Sequence, residues 1–312
     1  MNPQNIWNST LLPDGVLARD ITIKSKKGGS PLKIVHITDM HLNLCNEEDF
    51  AENDPTLMST YEHRMWLKNG ESLDNAVRCL EHARDADMTI ITGDILDYLS
   101  HGCIELAKNH VFKPYKNVIA CLGNHETARK VQGKIADTMP YDEKIKKLKA
   151  IWPNDLSYSS VTLDERVMLI QMDNCSNGCR FSDEQAKKLA KDIELSREKD
   201  YIALLFFHVN IATDNKEDIG SKAITVGDRN YTLIDYNGYG ISEKNGESSK
   251  AVCEIIKNNA DVIKGCFCGH MHSDFYTEIV AKDKDGNDAR IPQYLLIGAA
   301  YDKGHILNIN VE

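Results

Sequence analysis

The 312-residue sequence has neither a long apolar run nor an excess of basic residues. No window approaches the ~18 consecutive apolar residues of a membrane span. The first residues, MNPQNIWNSTLLPDG, show no basic stretch followed by an apolar one, as a secretory leader has. Lysine and arginine number 37 against 47 acidic residues, and the net charge of -10 argues against non-specific binding to duplex nucleic acid or an anionic membrane. We therefore expect a protein that is neither exported nor membrane-bound.

The sequence also lacks repeats, low-complexity tracts and an even number of cysteines. Several of its nine cysteines sit inside apolar runs, as buried reduced thiols do, and examples are Cys79, Cys121 and Cys253. Cys266 and Cys268 precede two histidines, but a structural zinc site would need two further converging ligands. We expect reduced thiols throughout, which favours a cytoplasmic location.

The pattern of the chain is an alternation of strand-like and helical runs. At 42% hydrophobic content the chain can bury a sizeable core. Apolar runs predict strands at LKIVHIT, MTIITGD, NVIACLGN, RVMLIQMD, IALLFFHV and VIKGCFCGH, and amphipathic helical runs separate most of them. This repeated β-α-β order predicts an α/β layered fold with its site at the C-terminal ends of the strands.

The C-terminal part of the chain has a different pattern of predicted secondary structure. From residue 275 onward, strand-like runs are joined by turns, with KDGND as a hairpin turn, and mixed strands there suggest a second sheet. We predict one domain over residues 1–312. Its long polar or irregular insertions are expected to be lids or substrate walls, and they lie at about 42–70, 127–156 and 212–248.

Two strand ends carry carboxylates. HITDMHLN ends with Asp39 and His41, and in an extended strand residues two apart point to the same side. Alone, such an aspartate is more often a turn former or a helix cap than a metal ligand. IITGDILDY places Asp94 after Gly93, where glycine allows the backbone to pass close to a ligand. Because a carboxylate has two oxygens, Asp94 is the natural shared ligand if two cations bind.

Three further strand ends carry neutral donors. CLGNHE offers the carbonyl oxygen of Asn124 and, beside it, His125, which is free to move protons. LLFFHV ends with His208, which alone would be read as a packed core histidine, and GHMH adds His270 and His272. Together these blocks supply enough ligands for two cations that share one carboxylate. The candidate ligands are Asp39, His41, Asp94, Asn124, His208, His270 and His272.

In their order, the blocks D-x-H, G-D-x-x-D, G-N-H-E, an isolated strand-end histidine and G-H-x-H resemble the calcineurin-like metallophosphoesterase superfamily over residues 33–275. The resemblance implies a four-layer αββα sandwich, with two mixed sheets face to face and a dinuclear centre at the strand C-terminal ends. It assigns Asp39, His41 and His272 to the first cation, Asn124, His208 and His270 to the second, and Asp94 to both. Such ligands admit two divalent or mixed-valence ions of Mn, Fe, Zn or Ni, with Mn expected for activity.

The resemblance also implies a mechanism. Two cations about 4 Å apart lower the pKa of a shared water, and the bridging hydroxide attacks phosphorus in line. His125 resembles the family's histidine that binds the phosphoryl group without ligating metal and can protonate the leaving oxygen. Asp97 matches an acidic position that orients this histidine in the protein-phosphatase branch, although a helix-start aspartate is the plain structural alternative. The implied function is a metal-dependent phosphohydrolase that acts on a small phosphoester or nucleotide.

Departures from the family's branches leave the substrate open. Protein phosphatases have Arg directly after the aspartate, where this chain has Tyr98, and purple acid phosphatases have D-x-G in the first block. One alternative is a phosphodiesterase or nuclease acting on nucleotides or nucleic acid ends, although the acidic balance disfavours a duplex nuclease. Another is a catalytically silent scaffold, against which the complete ligand set and His125 argue.

Some residues outside the motifs have a functional reading and a structural one. Arg64 in the first insertion could clamp a phosphate, and Tyr236 or Tyr239 in the third could stack on a base or sugar. The alternative for all of these is a solvated loop residue. His36 lies inside its strand and off the face of Asp39 by parity, so we expect it to be packed.

Overall fold

The computed structural model describes residues 8–64, 69–127, 130–131, 134–135, 138–176, 178–213, 223–226, 229–232 and 240–312. In chain order the strands are β1 (Asn8–Leu11), β2 (Leu17–Ile23), β3 (Leu32–Ile37), β4 (Met88–Thr92), β5 (Val118–Cys121), β6 (Lys130–Val131), β7 (Lys134–Ile135), β8 (Tyr158–Leu163), β9 (Val167–Met172), β10 (Ile202–Phe206), β11 (Ala223–Val226), β12 (Arg229–Thr232), β13 (Ile263–Cys268), β14 (Phe275–Lys282), β15 (Asp288–Leu295) and β16 (His305–Val311).

The α-helices among the described residues are α1 (Glu47–Glu52), α2 (Pro55–Arg64), α3 (Asn69–His82), α4 (His101–Leu106), α5 (Asn124–Thr127), α6 (Tyr141–Lys149), α7 (Asp183–Glu198) and α8 (Glu247–Lys257). A π-helical segment, Ala107–Phe112, continues α4, and a 3-10 turn, Glu243–Asn245, precedes α8. Local chemistry accounts for the start of α7, where Ser182 and Gln185 form a capping box. None of the described helices is long and apolar enough to span a bilayer.

Two six-stranded sheets form the centre of the fold. One has the order β1-β2-β16-β3-β4-β5 and the other the order β14-β15-β13-β10-β9-β8. Both are mixed, because β16 runs antiparallel to β3 but parallel to β2, and β15 runs parallel to β13 but antiparallel to β14. The remaining described strands form the small hairpins β6-β7 and β11-β12.

The core divides into layers. Side chains from both sheets, among them Ile34 and Ile90 of the first and Phe206 and Phe267 of the second, pack together between the sheets. The outer face of the first sheet packs on α3 and α4, and that of the second packs on α7 and α8. The predicted four-layer αββα sandwich is thereby confirmed, and it explains why β4 and β10, covered on both faces, are buried at every residue.

Some local predictions were incomplete. The last run, expected with the second sheet, forms β16 and returns to the first sheet between β2 and β3. The first insertion, read as irregular, contains α1 and α2. KDGND does form the hairpin turn between β14 and β15, where the Asp283 carboxylate accepts hydrogen bonds from the backbone N–H groups of Asp285 and Asn287. The single-domain reading stays a prediction.

Candidate metal centre

The predicted ligands follow the C-terminal ends of β3, β4, β5, β10 and β13. The first three strands are parallel to one another, and β10 is parallel to β13, so these ends meet at one edge of the sandwich. Asp39 and His41 come after β3 and Asp94 after β4, while Asn124 begins α5 after β5. The same edge receives His208 from the end of β10.

At three of these ends, after β3, β4 and β13, the ligand residues are left-handed rather than extended. Asp39 and His41 have φ values of 51° and 46°, and His270 and His272 have 72° and 47°. The argument from strand alternation was therefore wrong in its geometry, although each pair does converge. The residue between each pair is a buried methionine, and Met40 at 0% exposure packs into the core.

A left-handed backbone conformation at a residue other than glycine costs roughly 1–3 kcal/mol of conformational free energy, so the surrounding structure must stabilise it. Here the loops hold one another: the N–H of Asp39 donates to the carbonyl of Gly93 at 3.1 Å, and that of His41 donates to the carbonyl of Asp94 at 2.9 Å. Asp94 is itself left-handed at φ 50°, and Gly93 before it has φ 81°. Such concentrated strain marks a site whose side chains must point in set directions.

The first group of donors comprises Asp39, His41, Asp94 and His272, whose ligand atoms lie within 4.8 Å of one another. The two imidazole Nε2 atoms of His41 and His272 are 3.0 Å apart, and His272 Nε2 is 3.0 Å from Asp39 Oδ1. Carboxylates and ring nitrogens thus converge on one point. This is the group that the family resemblance assigned to the first cation.

The second group comprises Asp94, His208 and His270, again within 4.8 Å. His208 Nε2 lies 3.2 Å from Asp94 Oδ2 and 3.2 Å from the amide oxygen of Asn124. Asp94 is the one residue common to both groups. The geometry therefore brings all seven predicted ligands together, with the carboxylate expected to be shared between the two sets.

The hydrogen bonds of three rings test whether the donors suit metal ions. Nδ1 of His41 donates to Asp97 Oδ1 at 3.0 Å, Nδ1 of His208 to the carbonyl of Thr92 at 2.6 Å, and Nδ1 of His272 lies 2.6 Å from the Tyr301 hydroxyl. When His41 and His208 are neutral, these bonds keep the proton on Nδ1 and leave Nε2 unprotonated and facing the convergence point. Metal-binding histidines are oriented by such outer partners, so these residues fit two cations.

The carboxylates dominate the electrostatics of the site. Burial opposes a charge on His41, but hydrogen bonds to Asp39 and Asp97 raise its pKa to about 10. Burial likewise opposes a charge on His208, whereas Asp94 raises its pKa to about 9. Buried His270, next to His208, has a pKa lowered to about 4. A cation placed among these carboxylates would stand in for the protons on His41 and His208.

His125 lies beside the two groups of donors and, like His41 of the first group, contacts Asp97. Its side chain is 13% exposed, and its Nε2 is 3.9 Å from Asp94 Oδ2. Nδ1 donates to the backbone carbonyl of Asp97 at 2.7 Å and is 3.4 Å from Asp97 Oδ1. Nε2 of His125 therefore faces Asp94 and is not used in the contact with Asp97. This position suits an imidazole that exchanges a proton with a bound molecule.

Sequence reasoning missed several residues that hold the site. Glu126, the last residue of G-N-H-E, is buried and accepts hydrogen bonds from the N–H groups of Asp94, Leu96 and Gly123. Burial and then the charge of Asp94 raise the pKa of this carboxyl to about 7. Its position in the motif was a usable signal. Nothing in the sequence pointed to Tyr301.

The structure also shows where the residues outside the motifs lie, for which the sequence allowed both a functional and a structural role. His36 is buried and its Nε2 lies 2.7 Å from the Thr92 hydroxyl, as expected of a packed histidine. Arg64 is neither solvated nor turned to a phosphate, because its guanidinium is buried against Asp97. Cys266 and Cys268 are buried free thiols. Tyr236 and Tyr239 lie outside the described residues.

A sequence model of the calcineurin-like phosphoesterase family matches residues 32–274. No curated protein matches the chain. Among solved structures, a purple acid phosphatase from yellow lupin (Lupinus luteus) is 12% identical with a TM-score of 0.50, and the match covers 94% of this chain and 49% of that one. A dimetal phosphatase from Danio rerio is 12% identical with a TM-score of 0.48, covering 86% of this chain and 88% of that one. At such identities, the likeness to the lupin enzyme shows a shared fold.

Proposed function

Since the chain belongs to the calcineurin-like phosphoesterase family, and is thus a metal-dependent phosphoester hydrolase, we propose that it cleaves small phosphoesters, nucleotides included, at a two-cation centre. Asp39, His41 and His272 would hold one cation, Asn124, His208 and His270 would hold the other, and Asp94 would bind both. Ligands of this kind suit Mn, Fe, Zn or Ni, and we expect Mn to support activity.

The observation that carries this proposal is the membership of Asp94 in both donor groups. Its carboxylate lies within 4.8 Å of the ligand atoms of both groups, on one side His41 and His272 and on the other His208 and His270. A mononuclear site would leave the second group without a purpose. A silent scaffold would have no need to keep five left-handed residues at strand ends.

Two divalent cations bound here would activate a water and neutralise the phosphoryl oxygens. The protein's own part is to orient the reacting groups and to move protons. His125 Nε2 faces the Asp94 carboxylate, and we assign it the transfer of a proton to the leaving oxygen as the ester P–O bond breaks and the P–O bond to the water oxygen forms. Asp97 orients that ring at Nδ1, through its backbone carbonyl, which accepts the hydrogen bond, and its nearby carboxylate.

The test is hydrolysis of 4-nitrophenyl phosphate and bis(4-nitrophenyl) phosphate by metal-stripped protein to which single divalent cations are returned. We expect turnover with Mn that a chelator abolishes. A panel of cyclic nucleotides, dinucleotides, mononucleotides and single-stranded DNA then defines monoester or diester preference. Absence of turnover with every cation tried would refute the proposal.

A histidine variant separates catalysis from metal binding. His125→Ala should keep its metal but lose activity by ~10²-fold or more on an ester with a basic leaving group, such as phenyl phosphate, because a general acid typically contributes that much. His82→Ala is the matched control, since His82 is a partly exposed histidine of α3 that pairs with Asp14. Full activity in His125→Ala would remove that residue from the mechanism.

A further inference from the structure

Arg64 is the last residue of α2, a helix of the insertion that separates the first motif block from the second. Although it lies in a surface insertion, its side chain is only 3% exposed. Its Nε donates to Asp97 Oδ2 at 2.7 Å, and its Nη2 contacts Oδ1 of the same carboxylate. The guanidinium therefore holds both oxygens of Asp97, which is the planar two-point geometry that lysine cannot reproduce.

Asp97 in turn touches two residues of the candidate site. Its Oδ1 is 3.0 Å from Nδ1 of His41, a candidate metal ligand, and 3.4 Å from Nδ1 of His125, the candidate proton donor, which donates its hydrogen bond to the backbone carbonyl of Asp97 itself at 2.7 Å. The remaining oxygen, Oδ2, accepts a hydrogen bond from the amide of Asn43 at 3.1 Å. One fully buried carboxylate thus faces two imidazoles whose planes are nearly perpendicular, at 83°.

The orientation of this carboxylate decides whether Oδ1 can serve both rings. Rotation about the bond to the carboxyl carbon would move Oδ1 away from one ring or the other. Apart from Arg64, each oxygen has one hydrogen bond, Oδ1 from His41 and Oδ2 from Asn43. Two parallel bonds from Arg64 prevent that rotation, because both oxygens are then held in the plane of the guanidinium. A buried aspartate without its cation would also be strongly disfavoured.

We propose that Arg64 is a positioning residue for phosphoester hydrolysis, which acts through Asp97 to hold the His125 ring in place for proton transfer. The inference rests on the proposed function. In the step concerned, the bond from phosphorus to the leaving oxygen breaks, its electron pair stays on that oxygen, and the oxygen takes the proton from His125 Nε2. The phosphoryl group passes to the oxygen of the attacking water.

The consequence is a dependence on the leaving group. A 4-nitrophenolate leaves with little help from an acid, whereas an unsubstituted phenolate is more basic and needs the proton. Misplacement of His125 should therefore slow phenyl esters more than 4-nitrophenyl esters. A purely structural role for Arg64 would slow both esters alike.

The experiment compares Arg64→Gln and Arg64→Lys with the wild type on phenyl and 4-nitrophenyl phosphate, or on the corresponding diesters if the wild type prefers them. For Arg64→Gln at saturating metal, we expect kcat to fall about 3-fold on the nitrophenyl ester and at least ~30-fold on the phenyl ester, with KM changed less than ~3-fold. Arg64→Lys should show the same selectivity with a smaller loss. Arg84→Gln, which breaks an exposed two-point pair with Glu81, is the matched control and should match the wild type.

A double-variant cycle tests whether Arg64 acts through Asp97. In an Asp97→Asn background, Arg64→Gln should cause less than ~3-fold further loss, because the group it positions is already gone. The proposal would be overturned if the losses from Arg64→Gln and Asp97→Asn were additive, or if Arg64→Gln slowed both esters equally. Full activity in Arg64→Lys, or a loss of activity proportional to the loss of bound metal, would also overturn it. If Arg64→Gln does not fold, Arg64→Lys, which keeps a cation against Asp97, supplies the same comparison. An inactive wild type would instead refute the proposed function.

Discussion

Acidification from pH 8 to pH 5 should destabilise the protein through His36. This residue lies in β3 between the two sheets, with its ring centroid 6.1 Å from those of Phe206 and Phe267. Its Nε2 is 2.7 Å from the Thr92 hydroxyl. Complete burial lowers the pKa of His36 to about 3, because an imidazolium there would lose its hydration.

The size of the effect follows from the two pKa values. An unfolded histidine titrates near 6.5, so between that pH and about 3 the unfolded chain binds a proton that the folded chain does not. The stability contributed by a neutral His36 is thus complete above pH 6.5 and is lost as the pH falls towards 3. At about 1.4 kcal/mol per pH unit, the loss at pH 5 is about 2 kcal/mol.

The assay is urea unfolding at pH 8 and pH 5 in the presence of a chelator, so that metal binding adds no pH dependence. His36→Gln keeps an amide near the Thr92 hydroxyl but cannot titrate, and it should lose about 2 kcal/mol less than the wild type between the two pH values. Exposed His110 provides the control, since His110→Gln should behave like the wild type. Equal losses in the wild type and His36→Gln would refute the reasoning.

Three further predictions concern the metal centre. Asp94→Asn should abolish binding of both cations, measured as metal content of the purified protein, and full occupancy would remove Asp94 as the shared ligand. Tyr301→Phe deletes the hydroxyl beside one candidate ligand ring, so metal titration should show about tenfold weaker affinity, whereas unchanged affinity would argue against that contact. Gly269→Ala would place a Cβ against the Asp39 carboxylate and should lower the free energy of unfolding by about 1–3 kcal/mol, measured in thermal melts. Gly28→Ala is the control and should be unaffected, because a Cβ there meets nothing within 4 Å.

Much of the fold could be predicted because its information is local. β10 is a continuous apolar run and β3, β4 and β9 are mostly apolar, and such runs indicate strands covered on both faces whatever the rest of the chain does. The destination of β16 could not be predicted in the same way. Its register with β2 and β3 depends on partners about 270–290 residues earlier, and its own sequence does not indicate which sheet it joins.

The candidate site likewise has features that the sequence predicted and features that it did not. The residue types of the predicted ligands and their places at strand ends were available in the sequence, because a short motif keeps Asp39 near His41 and His270 near His272. Their left-handed backbone was not, since those φ values are held by hydrogen bonds between loops, such as that from Asp39 to Gly93.

By itself, the sequence determined the layered fold class and the chemistry offered at the strand ends, because periodicity and short motifs act over a few residues. Only the tertiary structure decided which side chains orient those donors. Arg64 meets Asp97 across 33 residues, and Tyr301 meets His272 across 29. No periodicity links positions so far apart, and their contacts exist only because the folded sheets and α2 bring them to the same edge.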